Sequence, residues 1–439
     1  MVEFWHRRPA FSVAVLALAV HLAFLLALPA EMQRNESSDY LDFYRPMAER
    51  LLDGRGLQDA EGRVAVRYPP GYPMVLAVAV GLSRALPGGE ALWIQGLVAL
   101  CVALSAALLV LLARRLTGST TLALVVGFGW SFYPPLLWLT KQPNSEVPFL
   151  VLMLAGLLAW RVSTEAQQNG TSWRFAAAAG ALLGAATLLR PIGLLLAPVL
   201  AVAFLVFPGR GRSRLDGPWR PLPRRWGSAA LLVGVHMLVL APWILFVHHE
   251  TDVWIPVSSG GRLSLLDGLT LGADPEEPSP RLSEGALALT RSVEARRAEI
   301  RGPSSAAVFL WRQAQNDPSP VVELLAVKAA RAWYGTESVR HEGALLAIQV
   351  PALILAALGL WRLGRRHPAL VLAIFAVVGY FWGMTFLVLS ILRYMVPAMA
   401  LLMIPIAWLL LESAHSLLPP RYRGLLGDFP SASPAPGGG

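Results

Sequence analysis

The chain has little charge and almost no thiol chemistry. Its single cysteine, Cys101, lies in the middle of an apolar run, which excludes an intramolecular disulfide and any cysteine-based zinc site. Only 15% of the 439 residues are charged while 55% are hydrophobic, and the mean hydropathy is +0.53. One or two soluble domains cannot be built from that composition; it describes a polytopic membrane protein. No convincing internal repeat is present, which argues against the repeat-built transporter folds. No clear small-residue cleavage site follows the first apolar run, residues 11–30, so that run is expected to stay as a helix and not to leave as a signal peptide.

What charge there is has a pattern. The formal net charge of +9 comes from 37 Lys and Arg residues, mostly Arg, set in short segments between apolar runs. This is the signature of membrane orientation, with membrane lipids and not nucleic acid as the basic residues' partners. Apolar runs near residues 11–30, 91–113, 119–139, 147–161, 175–189, 192–207, 227–247, 344–361, 368–388 and 394–412 predict about ten spanning helices of roughly 20 residues, some shorter. With the N terminus inside, Arg7-Arg8, Arg114-Arg115, Arg161 with Arg174, residues 210–225, residues 362–366 and Arg421 with Arg423 all fall on the cytoplasmic face. The unusual polar residues then gather on the outer face.

That topology divides the chain. Residues 1–247 form an N-terminal transmembrane module with an outer loop at 31–90, and residues 248–343 an outer-face region. Residues 344–412 supply the last helices, and residues 413–439 a cytoplasmic tail, partly disordered by its Pro, Ser, Ala and Gly content. The apolar stretch 72–86 is short for a span and is expected to lie in the outer interface. Weakly amphipathic stretches at 284–301 and 305–312, and another helical stretch near 321–333, predict helices in the outer region. Asn169-Gly170-Thr171 fits a glycosylation acceptor pattern but is expected inside, which discounts it.

Directly after the first apolar run comes Asn35-Glu36-Ser37-Ser38-Asp39-Tyr40-Leu41-Asp42-Phe43-Tyr44, carboxylates and aromatics at the mouth of a spanning helix. It is followed by Leu51-Leu52-Asp53-Gly54-Arg55-Gly56 and by Arg67-Tyr68-Pro69-Pro70-Gly71-Tyr72-Pro73. Further along stand Gln95, Tyr133-Pro134-Pro135, Ser145-Glu146, Leu189-Arg190-Pro191, Ala241-Pro242-Trp243, Ser258-Ser259-Gly260-Gly261 and Arg393-Tyr394 with Pro397. In this order, through about residue 412, the set resembles the bacterial GT-C glycosyltransferases of family 39, which are related to protein O-mannosyltransferases and lipid A aminoarabinose transferases. The resemblance implies an all-α polytopic GT-C fold with juxtamembrane helices on the outer face. It also implies transfer of a hexosyl or pentosyl group from a polyprenyl-phosphate donor to a lipid, glycan or protein acceptor, on the outer face of the bacterial cytoplasmic membrane.

Such chemistry needs a carboxylate to deprotonate the acceptor, cations to receive the departing phosphate, and an apolar groove for the prenyl chain. By the resemblance, Asp39 is the candidate base. Position 40 is Tyr where the family often has a second acid, so Asp42, about one helical turn along, stays open as the alternative. The plainer alternative for Asp39 is a helix N-cap for the stretch through Leu52. Glu146 is the second acidic position carried over, and it too suits a helix start. Asp39 and Glu146, with His248 and His249 beside Glu250 and Asp252, are candidate ligands for a divalent cation such as Mg, Mn or Zn; the four residues after the span also read as a solvated interface. For the donor phosphate, Arg67, Lys141, Arg190, Arg262 and Arg393 lie near the outer rim. Of these, Arg190 and Arg393 interrupt apolar sequence, although snorkelling to the interface would explain them as well. Tyr68, Tyr72 and Tyr394 are candidate substrate contacts. A secondary transporter or lipid flippase would share the span count but place its charges at the midplane, and a non-catalytic scaffold would share the whole pattern.

Overall fold

The computed structural model describes residues 7–29, 32, 39–166, 171–206, 222–271, 282–337 and 341–419. Glu36 with its neighbours, Asn169-Gly170, the basic stretch before Leu222, Arg421, Arg423 and the tail from Phe429 lie outside the described residues. Within them the chain is helical, and the only extended pairing is an isolated bridge between Gln58 and Val64.

Helix α1 (Pro9–Ala27) opens the bundle with proline in its first turn, where a missing N–H does no harm. A π-helical turn, Asp39–Tyr44, then runs straight into α2 (Arg45–Leu52), and α3 (Gly71–Ala85) packs back on α2. Helix α4 (Glu90–Thr117) stops at Gly118, whose φ of 75° closes the helix by donating its N–H to Arg114 O at 2.8 Å. Ser119 caps α5 (Thr120–Ser131), accepting from Leu122 N at 3.1 Å. Pro134 starts α6 (Pro134–Thr140), bent 55° from α5.

Helices α7 (Glu146–Glu165) and α8 (Ser172–Leu189) are antiparallel neighbours, and α9 (Leu196–Val206) returns the chain to α10 (Leu222–Thr251). Helices α8 and α10 meet across small residues: a Cβ on Gly180 would lie 2.5 Å from Leu232 O, so only glycine permits this approach. The last spans are α15 (Glu342–Gly364), α16 (Pro368–Leu387) and α17 (Val396–Leu417), the last preceded by a 3-10 turn, Leu392–Met395.

Among the described residues, eight helices are long and apolar enough to cross a membrane, and nine if the bent pair α5–α6 counts as one span. The sequence predicts about ten. The run at 192–207 yields α9, which is described as far as Val206. Its first residues are taken by the 3-10 turn Pro191–Gly193.

Between α10 and α15, helices α11 (Gly261–Leu269), α12 (Glu284–Ala295), α13 (Pro303–Asn316) and α14 (Pro318–Arg331) enclose a second apolar cluster that includes Leu266, Val293, Phe309 and Leu324. Three of these match the predicted helical stretches; α11 was not anticipated. Buried polar ties fasten this cluster to the bundle. Lys328 Nζ donates to Gly268 O and Val388 O, both at 2.8 Å, and Arg331 pairs with Glu342 at 2.8 Å with both side chains buried.

Candidate active site

Four chain breaks place the site. The residue before a proline is pushed out of helical conformation, so Arg190 is extended (φ −146°, ψ 124°) at the end of α8 and its side chain turns inward. Glu146 opens α7, where free amides and the helix dipole favour a carboxylate. Arg393 sits in the 3-10 turn before α17, held by Leu392 N donating to Gly335 O at 2.9 Å. Asp39 opens the π-helical turn, which Glu90 at the start of α4 braces through Tyr40 (2.6 Å) and Arg45 (2.9 Å).

These four side chains form one network. Buried Glu146 pairs with Arg190 Nη1 and, at 3.3 Å, with Arg393 Nε. Arg190 also donates to Ser145 Oγ at 3.2 Å. Arg393 Nη2 lies 2.7 Å from Glu337 Oε1 and 3.8 Å from Asp39 Oδ2. Both guanidinium groups stand over the Tyr394 ring, at 4.8 and 5.3 Å. Tyr68 donates to Asp39 Oδ1 at 2.6 Å; burial, and then the Asp39 charge, push its phenol above the usual range, so it stays a donor. Tyr44, packed between Tyr68 and Tyr72 at 4.9 and 4.8 Å, is likewise pushed up by burial and supports this wall.

Not every predicted residue joins. Asp42 is exposed and on another face from Asp39. In a π-helical turn the i→i+5 bonding places more residues in each turn, so a three-residue step no longer brings two side chains together. Lys141 donates to Met32 O at 2.8 Å and covers Trp138 at 3.5 Å, which fixes the segment after α1. Arg262 spends its donors on Ile300 O (2.9 Å) and Arg297 O (2.7 Å) at the second apolar cluster. Arg67 lies beside Tyr68 with its guanidinium 4.3 Å over Phe43.

His248 stacks on Trp254 at 3.9 Å and His249 is exposed. Among the described residues no three His, Cys, Asp or Glu side chains gather as metal ligands. A divalent cation between Asp39 and Glu146 would have to displace the Arg393 guanidinium that bridges them, so the arrangement does not fit the expected four-residue set. Glu337, the closest carboxylate to Arg393, carried no sequence signal: it is one exposed acid in the loop between α14 and α15.

Residues 10–251 match the family described as Dolichyl-phosphate-mannose-protein mannosyltransferase, more than half of the chain. That part contains Asp39, Tyr68, Glu146 and Arg190, while Arg393 and Glu337 lie beyond it. No curated protein sequence matches. Among solved structures, the chain is similar to the archaeal oligosaccharyltransferase AglB from Archaeoglobus fulgidus in complex with an inhibitory peptide and a dolichol-phosphate, with a TM-score of 0.57 at 13% identity, over 96% of this chain and 52% of that one. The Archaeoglobus fulgidus oligosaccharyltransferase tethered with an acceptor peptide via a disulfide bond gives a TM-score of 0.58, also at 13% identity, over 96% of this chain and 51% of that one. ArnT from Cupriavidus metallidurans bound to undecaprenyl phosphate aligns at a TM-score of 0.40 and 19% identity, over 90% of this chain and 76% of that one. The chain spans about half the length of the archaeal structures it matches, and at such identity the likeness is one of fold. By its matched sequence and its helical architecture, the chain belongs to the dolichyl-phosphate-mannose-protein mannosyltransferase family, within the GT-C superfamily of membrane glycosyltransferases.

Proposed function

We propose that the chain transfers a sugar from a polyprenyl-phosphate donor to a hydroxyl of a lipid, glycan or protein acceptor, at the periplasmic face of a bacterial cytoplasmic membrane. The observation that carries this reading is the pairing of a rim carboxylate, Asp39, with two guanidinium groups, Arg190 and Arg393, that share the buried Glu146. The opposite end of the bundle carries Arg114, Arg115, Arg161, Arg362 and Arg366, the end that the positive-inside rule assigns to the cytoplasm.

In the reaction, the acceptor oxygen forms a bond to the anomeric carbon as its proton passes to Asp39. The bond from that carbon to the phosphate oxygen breaks, and the electron pair leaves with the lipid phosphate, whose charge Arg190 and Arg393 receive. Glu146 orients both guanidinium groups. Tyr68 holds the Asp39 carboxylate in place. The Glu337 side chain, 51% exposed, is the partner that the phosphate replaces on Arg393, and an exposed ion pair is worth only about 1 kcal/mol or less.

The test is sugar transfer by the purified protein in lipid, with a panel of polyprenyl-phosphate sugars and membrane extract as acceptor. Asp39→Asn keeps the Tyr68 bond but cannot take a proton, and the rate should fall about 10²- to 10⁴-fold; Asp42→Asn should leave it near wild type. Full activity in Asp39→Asn would remove Asp39 as the base. Solute movement by wild type with no new glycosidic bond would overturn the reading in favour of a transporter.

A further inference from the structure

We propose that Asp267, acting with Arg67, is a saccharide-binding residue that holds hydroxyl groups of the substrate over the Asp39 rim; this rests on the glycosyltransferase reading above. Helix α11 is pinned at both ends to the segments that carry the site. At its start, Ser259 N donates to Val66 O at 3.0 Å, Ser258 Oγ donates to Arg67 O, and a Cβ on Gly260 would come 3.1 Å from Arg67 O. At its end, Gly268 packs on the Val388 backbone, and Lys328 Nζ draws Gly268 O and Val388 O together at 2.8 Å each. Val388 leads into Arg393, and Arg67 into Tyr68. The helix therefore bridges the two arms that meet at Asp39.

Asp267 stands one residue before Gly268. It is half-buried and, among the described residues, its carboxylate receives no hydrogen bond and no ion pair. Burial pushes its carboxyl above the usual range, and the charges it feels are those of Arg297, Arg67, Glu294 and Asp39. Arg297 is already paired with Glu294 at 3.0 Å. Arg67 is not: its Nε is buried without a partner. Partly buried polar groups without hydrogen-bond partners are unfavourable and call for an explanation. A carboxylate acceptor and a guanidinium donor together complement a pair of neighbouring hydroxyls, each of which both donates and accepts. Phe43, under the Arg67 guanidinium at 4.3 Å, and Tyr68 at 5.6 Å hold that group in place beside the Asp39 rim.

The hydroxyls can belong to the donor sugar or to the acceptor, and binding separates the two. The full chain in lipid discs is titrated with polyprenyl phosphate and with the same lipid carrying each sugar of the panel, as wild type and as Asp267→Asn. A donor contact predicts that the affinity ratio of sugar-bearing to bare lipid falls about 10- to 100-fold in the variant, the size of a lost hydrogen bond to a charged group. The bare lipid should bind both proteins equally, which also shows that the variant is folded. An unchanged ratio with a tenfold rise in acceptor KM assigns the contact to the acceptor. If neither moves, Asp267 has no substrate role, while the transfer reading stands. If wild type binds neither lipid and transfers nothing, the transfer reading falls and this proposal with it. Should Asp267→Asn fail to fold, Arg67→Gln tests the other half of the clamp with the same expected losses.

Discussion

Glu146→Gln removes a charge without removing volume, so its effect isolates the electrostatics of the site. Breaking a buried ion pair by neutralising one partner costs about 3–5 kcal/mol, because the other charge is left buried. Here the loss falls unevenly. Arg393 keeps Glu337 at 2.7 Å and Asp39 at 3.8 Å, whereas Arg190, 14% exposed, keeps only Ser145 and the Tyr394 ring. Glu146→Gln should therefore destabilise by about 3 kcal/mol, the lower end of that range. Adding Arg190→Gln removes the stranded charge, so the double variant should be more stable than Glu146→Gln alone by at least about 1.4 kcal/mol, tenfold in the folded-to-unfolded ratio. The assay is titration of the protein in mixed micelles with a denaturing detergent, followed by circular dichroism. Losses in the double variant equal to the sum of the singles would mean that Arg190 and Glu146 are not coupled, and the electrostatic reasoning would fail. Both variants should lose sugar transfer whatever their stability.

Two further changes test the supports of the site. Burial lowers the Lys328 ammonium from 10.5 to about 7, so between those values the unfolded chain binds a proton that the folded chain does not, and stability rises with pH across that window. Lys328→Met should abolish this rise in the thermal midpoint between pH 7 and 10; parallel pH profiles for the two proteins would contradict it. Gly71→Ala should destabilise by about 1–3 kcal/mol through overpacking, because the added Cβ would sit 2.6 Å from Leu188 O and 2.9 Å from Leu189 N, backbone that cannot turn aside. Arg190 follows directly, so transfer should drop at least tenfold; wild-type rates in the alanine variant would show that this contact does not position Arg190.

The parts of the site that could be read from sequence are those fixed by local backbone rules. Arg190-Pro191 ends a helix because a residue before proline avoids the helical region, and that alone predicts an arginine turned out of its helix at the rim. The basic helix ends at Arg114-Arg115 and Arg362–Arg366 are legible for a similar reason, since each is a local feature of a span's flank. What could not be read is what each charge meets. Arg262, Lys141 and Arg190 are all basic and near one rim, and only Arg190 interrupts an apolar run. Two of them are consumed by backbone carbonyls, at Ile300 and Met32, because nearby loops expose unpaired acceptors there. Only Arg190 finds a carboxylate, brought by a helix that starts 44 residues earlier at Glu146.

The choice between Asp39 and Asp42 was open for a different reason. An α-helical turn would have put both on one face, and the π-helical turn puts one toward Arg393 and the other into solvent. Glu337 shows the limit most sharply: a single exposed acid 56 residues before Arg393, in a loop with no pattern of its own, becomes the nearest carboxylate to the cation that the resemblance singles out. Partner identity in this site is a property of how distant helix ends converge, and sequence spacing carries that information only where a proline or a glycine fixes the end itself.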